Sequence, residues 1–154
     1  MIRLAQVQDY ENIDKLQAAS VRKLCEKHYE SDFIEAWVGK PRVELIGKRV
    51  ASGTSYYVFD ESGQIAGFTV VNWQQAMLDG LFVDPEQAGK SIGRKLIQFV
   101  FGQAKERGIQ TLYLDSSLNA YEFYRRMGFE EYERGIFKLA DGLESESIKM
   151  KIKL

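Results

Sequence analysis

Apolar and polar positions follow two different periods along this chain, and the switches between them mark its elements. Ile13, Leu16, Ser20 and Leu24 recur at three- and four-residue steps, which predicts a first helix over Asp9 to Cys25. Cys25 continues that stripe and reads as a small core hydrophobe. A shorter helix is predicted from Ser31, an N-cap residue type, through Phe33, Ile34 and Trp37. After Pro41 the pattern changes. Ser55 to Phe59 and Gln64 to Val71 are rich in β-formers and flank Asp60-Glu61-Ser62-Gly63, which predicts a β-hairpin. Met77 to Val83 reads as a third strand, stopped at Asp84-Pro85.

The strongest periodicity follows. Ile92, Leu96, Ile97, Val100, Phe101 and Ala104 form a stripe wide enough for one helix face. Gly108 closes that helix as the residue after its C-cap, and Thr111 to Leu114 follows at once as a strand. A strand–loop–helix–strand unit of this kind implies two parallel strands with a right-handed crossover. Ala120 to Met127 is a short helix ending at Gly128-Phe129. Two closing strands are expected near Glu131 to Leu139 and Ile148 to Leu154, turning at Asp141-Gly142. Lys149, Lys151 and Lys153 alternate with Met150, Ile152 and Leu154, as in a half-exposed strand. The sum is an α+β fold, a mixed and mostly antiparallel central sheet flanked by helices, in one domain spanning residues 1–154.

Composition narrows the chemistry. The chain has 154 residues with 21 Lys+Arg, 22 Asp+Glu, 1 His and 1 Cys. One His and one Cys are too few for a His/Cys zinc site within a chain, so no metal is expected. A Ser-His or Cys-His nucleophile would have to use His28. The lone Cys suits a reducing compartment. The near-neutral charge argues against nucleic acid or a basic membrane-binding arm as partner. No signal core and no long apolar run is present, so a cytoplasmic, membrane-free location is expected.

The segment from Asp84 to Leu96 carries the candidate chemistry. It follows a strand, opens a helix and holds Gly89 and Gly93, so main-chain N–H groups can approach an anion at the helix N-terminus. Lys90, Arg94 and Lys95 cluster at that end, where cations oppose the helix dipole unless an anion such as phosphate joins them. Gly89-Lys90-Ser91 resembles the end of a P-loop, but Asp84 stands where that motif needs its first glycine. The dinucleotide pattern G-x-G-x-x-G fails as well.

The order strand, Val83-Asp84-Pro85, Gly89-Lys90-Ser91-Ile92-Gly93-Arg94, helix, strand, then Asn119-Ala120 and Phe123-Tyr124 to Gly128-Phe129 resembles the GNAT N-acetyltransferase superfamily. The two blocks span Met77 to Phe129. The family loop reads Gln/Arg-x-x-Gly-x-Gly/Ala; here Ala88 stands at its polar first position and Ser91 at its first glycine. The resemblance implies acetyl-CoA as co-substrate, with its pyrophosphate on the main chain of Ala88, Gly89, Lys90, Ser91, Ile92, Gly93 and Arg94. It implies further that the strand ending Leu81-Phe82-Val83 pairs with the pantetheine arm. A bulge there would make Phe82 or Val83 the oxyanion donor. Asn119 matches the polar position that binds the cofactor's arm, and Tyr124 the tyrosine that faces its sulfur.

Asp79, on the strand leading to the loop, is the candidate acceptor of the amine's proton. Simple alternation puts Asp79, Leu81 and Val83 on one face and Leu78, Gly80 and Phe82 on the other. His28, Tyr29, Phe33 and Trp37 lie in the helical region expected to cover the acceptor site; His28 reads as an exposed loop residue, and Trp37 and Trp73 as packing residues. The expected activity is transfer of acetyl from acetyl-CoA to a primary amine of a small molecule or protein, by direct attack in a ternary complex. The alternative is a non-catalytic acyl-CoA-binding or sensing domain on the same fold. A homodimer through the closing strands is a further expectation.

Overall fold

The computed structural model describes residues 1–139 and 142–154, with the Leu24 side chain outside the description. The turn expected at Asp141 lies outside the described residues, as does the Leu24 position of the first stripe.

In chain order the elements are β1 (Ile2–Leu4), α1 (Tyr10–Leu24), α2 (Ser31–Val38), α3 (Val43–Ala51), β2 (Ser55–Glu61), β3 (Gln64–Asn72), β4 (Met77–Val83), α4 (Ile92–Glu106), β5 (Thr111–Ser116), α5 (Tyr121–Arg126), β6 (Glu130–Lys138) and β7 (Glu144–Lys153). The strands form one sheet in the order β1-β2-β3-β4-β5-β7-β6. Every neighbouring pair is antiparallel except β4 and β5, which run parallel as the intervening helix requires.

Two elements are absent from the sequence reading. β1 is three residues long, too short for an alternation signal. In α3 only Ile46 is buried, while Val43 and Leu45 face solvent and Gly47 weakens the interior, so no apolar stripe forms. The second helix also differs in detail: Glu30 occupies the cap position and Ser31 is the first helical residue, with no side-chain cap bond.

Strand alternation sorts the core into two layers. Tyr57 packs with Ile97 and Val100 of α4, and Phe59 with Ile92 and Leu96, on one face of the sheet. Tyr56 and Val58, their neighbours in β2, turn to the other face with Ile13, Leu16 and Ile46 of α1 and α3. Leu96, Ile97 and Val100 are fully buried, each contributing about 2 kcal/mol by area. The helix they anchor ends as expected: Gly108 has φ +72°, its N–H reaches the Lys105 carbonyl at 3.0 Å, and Ile109 N–H reaches Ala104 at 2.9 Å. In the hairpin, Glu61 pairs with Gln64 across Ser62 and Gly63, both at positive φ, as a tight two-residue turn demands.

The central irregularity lies in β4. Val70 pairs with Gly80 but Val71 pairs with Leu78, so Asp79 is an extra residue in the strand, a β-bulge. Insertion of one residue reverses the parity of the side chains before it. Leu78 therefore packs with Ile97 and Val100 on the α4 face, where Leu81 and Val83 also lie, and Phe82 alone turns to the opposite face against Phe68, at 5.1 Å between ring centroids. The expected grouping of Leu78 with Phe82 is thus corrected by the bulge.

Beyond the bulge β4 leaves its parallel neighbour. Only Met77 and Leu78 pair with β5, opposite Tyr113 and Leu114. From Asp79 to Val83 the two strands part, and the sheet is split open at its centre.

Candidate active site

A cavity of about 390 Å³ occupies the split. Leu81, Phe82 and Val83 form one wall and Leu114 to Ser117 the other; Gly93, Phe123 and Tyr124 line the α4 side, and Gln17, Ser20, Arg42 and Arg49 the side of α1 and α3.

The main chain of β4 decides what that wall offers. Asp84 N–H donates to the Ala66 carbonyl at 2.9 Å, which marks this pair as a hydrogen-bonded one. Antiparallel pairs alternate, so Phe82 with Phe68 and Gly80 with Val70 are bonded pairs too. The N–H groups of Leu81 and Val83 then point away from β3, toward the parted strand β5. Of the two residues expected to offer an oxyanion donor, Val83 faces the opening and Phe82 does not. Leu81, expected on that strand but not as a donor, faces the opening as well; the signal lay in pairing register, which a strand cannot reveal by itself. The bulge considered for this strand sits at Asp79. Thr69, fully buried, donates its hydroxyl to the Gly80 carbonyl at 2.8 Å and so fixes the main chain just after the bulge.

The loop before α4 presents a run of donors. Ala88 N–H is directed at the Pro85 carbonyl at 3.4 Å, whereas the N–H groups of Gly89 through Arg94 make no main-chain hydrogen bond among the described residues. Ser91 adopts φ 60° and ψ 23°, the left-handed conformation that its family counterpart, glycine, takes without strain, and its side chain makes no cap bond. Substitution Ser91→Gly is therefore expected to raise stability by about 1 kcal/mol, read as a higher melting midpoint in denaturant, without loss of fold. Two of the three cations here have neighbours of their own. Lys90 donates to Gln87 Oε1 at 2.7 Å, and Lys95 lies 5.8 Å over the Phe59 ring. Arg94 has no ion pair among the described residues.

Tyr124 is buried in the cavity wall, held edge-on by Phe123 at 5.3 Å and Phe129 at 5.7 Å. Its hydroxyl makes no hydrogen bond among the described residues, and burial pushes its pKa well above the usual phenol value. The α5 C-terminus sets this position: Gly128, at φ +103°, lets Phe129 N–H return to the Tyr124 carbonyl at 3.0 Å.

Asn119 is held from both sides. Its Oδ1 accepts from Ser117 Oγ at 2.7 Å and from Cys25 Sγ at 3.1 Å. With both lone pairs engaged, the amide is oriented and its NH₂ is left to donate. Cys25 is buried, as the stripe implied, and burial lifts its pKa to about 11, so it remains a thiol at neutral pH. Asp79 is exposed within the cleft, yet the walls around it raise its pKa; Arg49 opposes that rise.

The remaining candidates divide cleanly. His28 is exposed and away from the cavity. Tyr29 hydroxyl accepts the Leu118 N–H at 2.9 Å and pins the loop that carries Asn119. Phe33 and Trp37 pack together with Phe137, and Trp37 also reaches the cavity wall. Trp73 lies elsewhere, stacked under Arg107 at 4.3 Å. No group of acidic, His or Cys side chains that could hold a metal occurs among the described residues, and no described helix is long and apolar enough to cross a membrane.

The fold is similar to that of solved N-acetyltransferases. The GCN5-related N-acetyltransferase of Rhodopseudomonas palustris superposes with a TM-score of 0.91 at 25% identity, covering 100% of this chain and 95% of that one. The PaiA N-acetyltransferase of Thermoplasma acidophilum, solved in complex with coenzyme A, gives 0.80 at 21% identity over 100% and 98%. The family model described as "Acetyltransferase (GNAT) domain" matches residues 25–153. The chain belongs to the GNAT acetyltransferase family. An uncharacterized N-acetyltransferase of Methanocaldococcus jannaschii is 34% identical over 90 residues, 51% of this chain and 40% of that protein. The ribosomal protein bS18-alanine N-acetyltransferase of Escherichia coli K12 is 30% identical over 95 residues, 57% of this chain and 64% of that protein. The matched segment thus spans only 40% and 64% of those relatives.

Proposed function

We propose that this protein transfers an acetyl group from acetyl-CoA to a primary amine by direct attack within a ternary complex. The observation that carries the reading is the opening between β4 and β5, where the N–H groups of Leu81 and Val83 and the hydroxyl of Tyr124 converge on one cavity. The residues fit the group on this chain's own geometry: an extended arm can complete the broken pairing of β4, and a pyrophosphate meets the free N–H groups of Gly89 to Arg94. Asn119 NH₂ would donate to the arm. Ala88, its N–H turned to Pro85, contributes least.

Bound acetyl-CoA supplies an activated thioester, so the protein needs no nucleophile of its own. Val83 N–H and carbonyl hold the arm, and Leu81 N–H faces the position where carbonyl oxygen gains charge. Asp79 receives the proton that the attacking amine sheds, directly or through water, as the new C–N bond forms and the C–S bond breaks. Tyr124 donates a hydrogen bond to the departing sulfur. Reference values for phenol and thiol make full proton transfer cost about 2 kcal/mol, and burial of Tyr124 raises that further. Tyr124 therefore acts first as a donor, and the sulfur finally takes the one proton the amine loses.

The raised pKa of Asp79 sets the sign of the pH response. As a base it works only above that pKa, so kcat/KM falls as pH drops through a value higher than the ordinary 3.8. Substitution Asp79→Asn is expected to lower kcat/KM about 100-fold and abolish that limb of the pH profile. Stability moves the other way. A carboxyl whose folded pKa is raised is a burden above that pKa, relieved as pH falls through it, so Asp79→Asn leaves the neutral-pH melting temperature equal or higher.

Thiol release from acetyl-CoA with a panel of amines tests the activity. Turnover with any amine supports it. Tight coenzyme A binding with no thiol release from any acceptor gives the sensing domain instead, which the departures at Ala88 and Ser91 favour. Absence of binding overturns both.

A further inference from the structure

The side of the cavity away from α4 carries charge that the transfer chemistry leaves unused. Arg42, just before α3, and Arg49, near its end, both line it. The other arginines with a marked pKa shift, Arg3 and Arg22, are raised by acid partners at 2.8 Å and 3.0 Å. Arg42 alone is lowered: half-buried, it loses water, which the attraction of Asp14 only partly offsets, and Arg49 adds a smaller like-charge repulsion. Neither guanidinium forms an ion pair or a side-chain hydrogen bond among the described residues. Asp14, the acid nearest in effect, accepts the Arg42 main-chain N–H at 3.1 Å and does not pair with the guanidinium.

Half-buried Arg42 and exposed Arg49 thus bring two guanidiniums, without ion pairs among the described residues, to one cavity, where an anion would find charge-assisted donors. Asp79, on β4, lines the same cavity, within the field of Arg49 but without an ion pair to it. The cavity lining therefore holds the Asp79 carboxylate and two guanidiniums, the complement of a dipolar ligand. Ser20, buried on α1, and Ser147 of β7, whose buried hydroxyl is the one side-chain atom of its kind left unpartnered among the described residues, also line the cavity.

We infer that the acceptor is a small amine bearing an anionic group on the same molecule, its nitrogen set before Asp79 and its anion received by Arg42 and Arg49. A free amino acid is the simplest member of that class, and an aminoalkylphosphonate presents the same chemistry with a second type of anion. A cationic polyamine is disfavoured, since its distal ammonium would meet two guanidiniums. This inference rests on the acetyltransferase reading and deepens it.

Calorimetric binding and thiol release are measured with the standard amino acids, their carboxamides, matched aminoalkylphosphonates and spermidine. At least one amino acid or phosphonate is expected to bind, and to turn over, about tenfold or more better than its uncharged counterpart, because a charge-assisted contact is lost in the amide. In Arg42→Gln and Arg49→Gln that ratio falls toward one; the double variant separates a shared anion site from a fold defect when circular dichroism is unchanged. The carboxylate and phosphonate arms tell which anion is preferred. Equal or better binding of carboxamides or spermidine, or a ratio untouched by both substitutions, overturns the inference while thiol release preserves the acetyltransferase reading. No thiol release from any acceptor, with acetyl-CoA bound, overturns both.

Discussion

Substitution Tyr124→Phe lowers kcat about 100-fold, with the KM for acetyl-CoA nearly unchanged and the fold intact. The ring contacts with Phe123 and Phe129 survive, because only the hydroxyl is removed. That hydroxyl makes no hydrogen bond among the described residues, so its loss strands no buried partner and leaves the melting temperature equal or higher. A donor used chiefly as the sulfur gains charge lowers kcat and kcat/KM together when deleted. An unchanged kcat would return Tyr124 to the core as one more aromatic. Its high pKa adds a second signature: Tyr124 stays protonated beyond the ordinary phenol range, so no loss of activity near pH 10 is expected from its ionisation.

The second large effect belongs to Gly67, on β3 beneath α4. A Cβ there would stand 3.0 Å from Ile92 Cγ2, 3.0 Å from the Phe82 carbonyl and 3.2 Å from Leu96 Cδ1. These are the residues that seat the first turn of α4 on the sheet. Gly67→Val is expected to cost about 3 kcal/mol, by overpacking a seam that has no slack. Whatever relief it finds must move α4, and with it the donor run ending at Arg94, away from β4. Acetyl-CoA affinity should therefore fall by about tenfold in calorimetry even where the protein remains folded. Gly102→Ala, on the open side of the same helix with no atom within 4 Å of the new Cβ, should instead add about 0.5–1 kcal/mol of stability. Equal responses at the two glycines would refute the close seating of α4.

Much of this architecture is legible in the chain because its signals are local. The α4 stripe from Ile92 to Ala104, the glycine caps at Gly108 and Gly128, and the Ser62-Gly63 turn each depend on residues a few positions apart, and each takes the expected form. β1 and α3 escaped because their stability comes from what they lean on: β1 from pairing with β2, α3 from the single contact of Ile46. The site divides in the same way. Tyr124, Val83 and the run from Gly89 to Arg94 lie on motifs with fixed spacing. Leu81, the bulge at Asp79 and the clamp of Cys25 on Asn119, 94 residues apart, have no such spacing.

By itself the sequence determined the order of the main elements and the parallel crossover around α4, because hydrophobic period and turn chemistry act over a few residues, and its two motif blocks carried the resemblance to the family. Its scarcity of His and Cys left no His/Cys zinc site to expect and only His28 for a Ser-His or Cys-His nucleophile. The tertiary structure alone decided which main-chain N–H groups face the opening. That choice follows from the register between β3 and β4, shifted by one residue at Asp79. It alone brought Arg42 and Arg49 to the cavity that Asp79 also lines, since charges far apart along the chain meet around one cavity only when the chain closes about it.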